Sequence, residues 1–175
     1  SYTSPIRQFM ARRAECDYKR FHRLILLSRH LYDTFPHPAK FFFPGAVRIT
    51  DYADFEYRRQ KKCCILYAGL LNEVTGIDLY LNAIRMFDLP DIEFVFTGRG
   101  PYEDLIRQVA QEDERIKYYG FVSRKKYYEI LDSSDIVVNP RNMNLPENKN
   151  NFPSKVMEYL ASGKIVLSTR FTGWE

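Results

Sequence analysis

From residue 63 onward, short apolar runs alternate with amphipathic stretches at nearly even intervals. Cys64-Ile65-Leu66-Tyr67-Ala68 is a continuous apolar run closed by Gly69, and Ile77, Leu81, Ile84 and Met86 then recur near helical spacing. Ile92 to Phe96 forms a second strand-like run ended by Thr97-Gly98. Tyr102 to Glu112 reads as a helix with Leu105, Ile106 and Val109 on one side. Arg115 to Tyr119 predicts a third strand closed by Gly120; Tyr127, Ile130 and Leu131 mark the next helix. Asp135 to Asn139 predicts a fourth strand stopped by Pro140. The segment "NNFPSKVMEYLASGK" (150–164) reads as a helix, and Ile165 to Ser168 as a fifth strand. Short apolar strands alternating with helices predict an α/β fold, a parallel sheet with helices on both faces.

The first third is less regular. Pro5 to Arg20 fits a helix rich in charge, Leu24-Ile25-Leu26-Leu27 a short buried strand, and Ser28 the cap of a brief helix through Tyr32. Pro36, Pro38, Pro44 and Gly45 surround Phe41-Phe42-Phe43, which predicts a crossover rather than the middle of an element. Ile49 to Lys62 is polar and reads as a loop. The chain therefore divides into residues 1–48, an irregular lead, and 49–175, the regular domain. It contains no internal repeat and no low-complexity segment.

Composition narrows this picture. The chain has 175 residues, enough for one ordinary domain, and 45% hydrophobic with 15% aromatic content supplies a core and excludes disorder. A net charge of +4 with no long basic run tolerates an anionic ligand but does not point to nucleic acid. Cys16, Cys63 and Cys64 are odd in number and include an adjacent pair, which is not a disulfide framework and fits a reducing compartment. No apolar run approaches the roughly 20 residues of a membrane span, and no secretory signal is read at the start. A cytoplasmic protein is expected.

Open parallel sheets bind ligands beyond the carboxyl ends of their strands. Those positions hold Gly69, Gly98-Arg99-Gly100-Pro101, Gly120-Phe121-Val122-Ser123, Asn139-Pro140-Arg141, and Asn150 to Lys155. Turn chemistry alone explains many such glycines. Gly98-Arg99-Gly100-Pro101 lacks the third glycine of a dinucleotide fingerprint, Glu103 standing in its place. The start of the 150–164 helix carries more. Its first turn offers unpartnered N–H groups and a dipole that favours an anion, Ser154 adds a hydroxyl and Lys155 a cation. Glu158 lies one turn further on the same face. A carboxylate there would repel phosphate but would accept two hydrogen bonds from a ribose diol. Phosphate at the tip and a diol one turn deeper is the spacing of a nucleotide; a Lys155–Glu158 surface ion pair is the competing explanation. Arg141 could add a second cation for a diphosphate, or be a solvated loop arginine. The loop 142–149, with three asparagines, reads as mobile.

In order and spacing, "ILYAGLL" followed by Gly76, "FVFTGRGP", "IKYYGFVSRKKYYEIL", "SSDIVVNPR", "NNFPSKVMEYLASGKIVLST" and "FTGWE" resemble the C-terminal, nucleotide-sugar-binding domain of a family 4 glycosyltransferase. The resemblance covers residues 63–175, about two thirds of the chain. It implies a Rossmann-like domain, one half of a GT-B fold. "NPR", "FPSK" and "EYLASGK" further resemble the branch that builds capsular and exopolysaccharides. Carried over by position, the resemblance implies that Glu158 binds the ribose hydroxyls and that the backbone around Ser154 and Lys155 holds the diphosphate. It also implies that the backbone at Val122 reads the nucleobase edge and that Gly69 and Gly98 line the donor cleft, with Arg99 beside them.

Three positions depart from that pattern. Asn150 stands where the family has the first Glu of its Glu-(seven residues)-Glu motif, at the donor sugar. Leu70 and Thr75 stand where many members have a phosphate-binding Arg and Lys. Lys155 and Arg141 are the candidates to replace those cations. The resemblance implies retaining, metal-independent transfer from a nucleotide-diphosphate sugar, expected to be a UDP-sugar, with no cofactor. The acceptor would be a saccharide or lipid-linked saccharide held by an N-terminal domain, with peripheral association at the inner membrane face. Residues 1–48 resemble a remnant of that domain and the interdomain crossing, so the chain reads as a fragment, truncated after "GWE" and inactive alone. Two alternatives stand beside this reading. A sugar-nucleotide 2-epimerase would need a histidine in the cleft, yet His22, His30 and His37 all fall in the lead. A flavodoxin-like binding module would need an acidic cluster or flavin loop at the strand ends, and neither is present.

Overall fold

The computed structural model describes residues 17–18, 20–56, 61–149, 152 and 154–170. Of the sequence-based readings, most of the helix over 5–20, Cys16, position 150 and the "FTGWE" end fall outside them.

Five parallel strands form the main sheet: β3 (Cys63–Leu70), β4 (Ile92–Arg99), β5 (Ile116–Tyr118), β6 (Ile136–Asn139) and β7 (Ile165–Ser168), in the order β5-β4-β3-β6-β7. Between them run α2 (Ile77–Met86), α3 (Glu103–Glu112), α4 (Arg124–Asp132), a single turn α5 (Pro146–Lys149) and α6 (Ser154–Ala161). This is the Rossmann-like α/β architecture that the alternation predicts. The two faces are read off the strand pleat. In β3, Tyr67 packs to one side with Phe94, Phe96 and Val138 against α2 and α3. Cys64, Leu66 and Ala68 pack to the other with Val95 and Val137 against α4 and α6. Helices therefore cover both faces, and the two central strands β3 and β4 are the most deeply buried.

Several details differ from expectation. Met86 is 84% exposed and Tyr80 takes the fourth core position of α2, because the helical stripe follows 77, 80, 81 and 84. Leu105 is likewise exposed, so α3 is anchored by Ile106 and Val109. Leu24–Leu26 (β1) is a strand but not a buried one: Ile25 is exposed. The breaker-rich stretch after it does contain an element, β2 (Lys40–Phe42), which pairs parallel with β1 as a separate two-stranded sheet. Between them α1 (Arg29–Thr34) is capped by Ser28, whose hydroxyl accepts from Leu31 N–H at 3.4 Å. His37, in the turn leading to β2, is buried; its Nδ1 accepts from Ala39 N–H and its Nε2 donates to Phe21 O at 2.9 Å, so its ring is spent on holding this small sheet together. The polar stretch from Ile49 opens with a 3₁₀ turn (Ile49–Tyr52) whose Tyr52 packs edge-on to Phe55 and Tyr128 under the main sheet.

What fixes the rim of the sheet is backbone contact. Gly76, at the start of α2, has φ 75°, and a methyl group there would sit 1.5 Å from the carbonyl oxygen of Pro140. The turn after β3 thus lies directly on the turn after β6. Gly76→Ala is expected to lower stability by about 3 kcal/mol or more, because it combines left-handed strain with a backbone clash that no rotamer relieves. Urea unfolding of the two proteins, followed by circular dichroism, measures it.

Candidate functional site

The sheet order reverses its winding between β3 and β6, and an open α/β sheet has its crevice at that point. Two cavities meet there. The first, about 420 Å³, lies over the crevice and is lined by Asn72, Thr75, Asn139, Arg141, Ser154 and Lys155, among others. The second, about 250 Å³, lies over β3 and β4 and is walled by Arg99, Phe121, Val122 and Tyr127. Gly69, Leu70 and Lys155 border both.

Gly69 and Gly98 stand opposite each other in the β3–β4 register, so the floor of the second cavity is bare backbone. A methyl on Gly98, whose φ is 137°, would come within 1.8 Å of Gly69 O. Thr97, fully buried, donates to Gly120 O at 2.8 Å, and Tyr118 donates to Gly98 O at 2.9 Å, which locks the turns after β4 and β5 together. Glu103 explains why Gly98-Arg99-Gly100 is no dinucleotide motif: its own carboxylate accepts from Gly100 N–H at 3.1 Å. The Arg99 guanidinium lies 4.6 Å from the Phe121 ring centroid, forming an outer wall of cation over aromatic.

The turn after β3 is held by hydroxyls. Thr75 donates to Leu70 O at 2.7 Å or Asn72 O at 2.9 Å, and Tyr67 donates to Leu70 O at 2.6 Å. Burial raises the Tyr67 phenol above its ordinary range and keeps it a donor. The stretch 142–149, expected as a mobile polar loop, is instead tied down. Asn148 is buried, and its amide donates to Val74 O and Asn142 O at 2.7 and 2.8 Å.

Arg141 is largely buried. One guanidinium N–H reaches Asn148 Oδ1 at 3.4 Å, its buried Nε has no hydrogen-bond partner, and among the described residues no carboxylate pairs with it. Burial lowers its pKa below the ordinary arginine value, partly opposed by Tyr67 and Tyr159. Glu147 lines the same cavity without pairing with it, and a desolvated cation that no carboxylate contacts favours an anion.

α6 buries Val156 and Tyr159; Tyr159 donates to Ala68 O at 3.0 Å, fixing the helix on β3. The half-buried face beside these carries Lys155 and Glu158. Ser154, exposed, and Lys155 line the first cavity at the helix start. Glu158 lines neither cavity; its carboxylate stands behind Tyr127, accepting from the phenol at 3.1 Å, with Lys155 Nζ at 3.8 Å. Lys155 Nζ also lies 4.4 Å from the Tyr127 ring centroid. The structure thus gathers Gly69, Gly98, Arg99, Val122, Arg141, Ser154 and Lys155 around one pair of cavities, with Glu158 one residue removed. Asn150 lies outside the described residues. Phe121, Asn72, Asn139 and Tyr127 were not singled out as site residues by sequence. For Tyr127 the available signal was a tyrosine at a core-facing helical position, where the hydroxyl must find a partner.

The family described as Glycosyl transferases group 1 matches residues 50–175. No curated relative matches the chain. Among solved structures, TarM superimposes with a TM-score of 0.71 at 13% identity, over 93% of this chain and 32% of TarM. Anabaena HepE, solved in complex with UDP, gives 0.72 at 18% identity over 98% of this chain and 52% of HepE. The pneumococcal O-GlcNAc transferase GtfA, in complex with UDP and GlcNAc, gives 0.63 at 17% over 90% and 32%. These likenesses show the shared fold; the chain spans about a third of TarM and half of HepE.

Thr75→Val keeps the shape of the turn after β3 and removes the hydroxyl that two carbonyls share. A stability loss of about 1–3 kcal/mol is expected, read from the shift in the urea midpoint at constant slope.

Proposed function

The chain belongs to the glycosyl transferases group 1 family, and we propose that it supplies the donor-binding half of a GT-B glycosyltransferase. The donor is a nucleotide-diphosphate sugar, read here as a UDP-sugar. The observation that carries this is the pair of cavities joined at Lys155 across the switch point. One is lined with backbone and aromatic groups, as a nucleoside needs. The other brings amide, hydroxyl and cationic groups together with a largely buried arginine, as a diphosphate and a sugar need; one carboxylate, Glu147, and the apolar Val74 and Val138 also stand in its wall. HepE and GtfA were solved with UDP, which supports the choice of base.

In this reading the backbone at Val122 meets the edge of the base, Arg99 and Phe121 close over it, and Glu158 receives the ribose diol. Lys155, the N–H groups opening α6 and Arg141 surround the diphosphate. As the bond between anomeric carbon and diphosphate breaks, charge grows on the departing phosphate oxygen. Fixed dipoles and cations already aimed there lower the barrier without reorganising. Asn150 would face the sugar in place of the family's first glutamate. We extend the proposal to the whole protein as retaining, metal-independent transfer to a saccharide or lipid-linked acceptor in capsular or exopolysaccharide assembly. That protein would be cytoplasmic and peripheral at the inner membrane face, its acceptor held by an N-terminal domain of which residues 1–48 are part. Among the described residues no helix is long and apolar enough to cross a membrane. No observation favours the epimerase, since none of the three histidines lines either cavity.

Calorimetric titration with UDP, GDP and FMN tests the donor class, with UDP expected to bind and FMN not. Lys155→Ala and Arg141→Ala are each expected to weaken UDP about tenfold or more, the loss of one charge-assisted contact, and to leave uridine nearly unaffected. Unchanged UDP affinity in both variants would sink the idea that these two replace the family's missing cations.

A further inference from the structure

Tyr127 touches both arms of this site with two different parts of one side chain. Its hydroxyl donates to Glu158 Oε2 at 3.1 Å, and its ring face lies 4.4 Å from Lys155 Nζ. The ring itself forms part of the wall of the smaller cavity. It is also held from outside: α4 starts at the Ser123 cap, whose hydroxyl accepts from Lys126 N–H, and the ring packs on Tyr128 at 5.6 Å. Among the described residues, the other polar side chain recorded against the Glu158 carboxylate is Lys155 at 3.8 Å, beyond hydrogen-bond length, and both side chains are more than a third exposed.

Resting on the donor-site reading above, we infer that Tyr127 is the positioning residue of the site: its hydroxyl orients the Glu158 carboxylate for the ribose diol, and its ring holds the Lys155 ammonium at the wall shared by the two cavities. The two tasks are chemically separate. A neutral O–H donating to one carboxylate oxygen leaves the other oxygen and the remaining lone pairs free for the diol. An aromatic face attracts an ammonium without using any of its three N–H donors, so these stay available to phosphate oxygens. Burial, and then the neighbouring Tyr159 phenol and Glu158 carboxylate, push the Tyr127 phenol well above its ordinary range, so it remains a donor at working pH. A carboxylate and an ammonium left to each other would collapse into an ion pair and offer less to a ligand. Tyr127, placed against both, sets the geometry of each.

The separation makes the inference testable. The 175-residue chain and its Tyr127→Phe and Tyr127→Leu variants are titrated with UDP, 2′-deoxy-UDP and uridine. Tyr127→Phe keeps the ring and loses the hydroxyl. It is expected to cut the preference for UDP over 2′-deoxy-UDP about fivefold or more while leaving the preference for UDP over uridine as it was. Tyr127→Leu loses both parts and is expected to lower the two ratios together. A merely structural role would weaken all three ligands evenly and move neither ratio. Should the unsubstituted chain prefer UDP over both other ligands and Tyr127→Phe leave the ribose ratio unchanged, this inference falls and the donor site stands. Should the unsubstituted chain bind no UDP, both fall.

Discussion

The rim of the sheet depends on backbone touching backbone where three βα turns meet. The turn after β3 rests on the turn after β6 at Gly76 and Pro140, and β3 rests on β4 at Gly69 and Gly98, in both places without room for a methyl group. Side chains are therefore excluded from the floor, and a ligand there meets peptide N–H and C=O dipoles held by the sheet. Such groups cannot rotate away, so a site built on them is organised before the ligand arrives. The surrounding hydroxyls and amides serve the same end. Thr75, Tyr67, Thr97 and Asn148 each donate to a turn carbonyl, Thr75 and Tyr67 to the same one at Leu70.

This packing bears on where positive charge can stand. Leu70 and Thr75 occupy the positions at which the family resemblance expects Arg and Lys. Thr75 is buried and its hydroxyl is committed to the carbonyls of its own turn; a lysine there would lose that donation and would have to thread its chain out past them. Arg141 approaches from the opposite bank, after β6, and reaches the same cavity. Its buried, unpartnered Nε is costly in isolation. That cost has no structural return in the described residues, since Arg141 makes only one long hydrogen bond. It is the kind of expense seen where a group is kept for a ligand.

How much of this was legible in the sequence follows from how each feature is encoded. The five strands of the sheet and their helices rest on apolar periodicity, which is local, and β3 through β7 appear where the alternation puts them. Met86 and Leu105 went the wrong way because several apolar residues crowd each helix and only packing decides which stripe faces inward. β2 was hidden by Pro38 and Pro44 on either side; its pairing with β1 is a non-local event that breakers outside a three-residue strand do not prevent. Asn148 looked like loop chemistry because a polar side chain that stitches two distant carbonyls is identical in sequence to one in water. The rim glycines were legible as turns, but which of them touch could not be read before the register was known. Tyr127 was legible only as core.

Lys155 and Glu158 show how the surface-pair explanation and the proposed ligand site bear on each other. Their separation is 3.8 Å, and both are well exposed. A pair of that kind is worth about 0–1 kcal/mol and is screened by salt. It cannot account for the surrounding arrangement, in which a partly buried tyrosine directs its hydroxyl at the carboxylate and its ring at the ammonium. Nor does the pair obstruct a ligand, because an interaction so weak is given up at little cost when a diol and a diphosphate offer several charge-assisted hydrogen bonds. The ion pair and the proposed nucleotide site are therefore compatible accounts of these two residues. The first is what two opposite charges do when placed one turn apart, and the second gives a reason for placing Tyr127 against both.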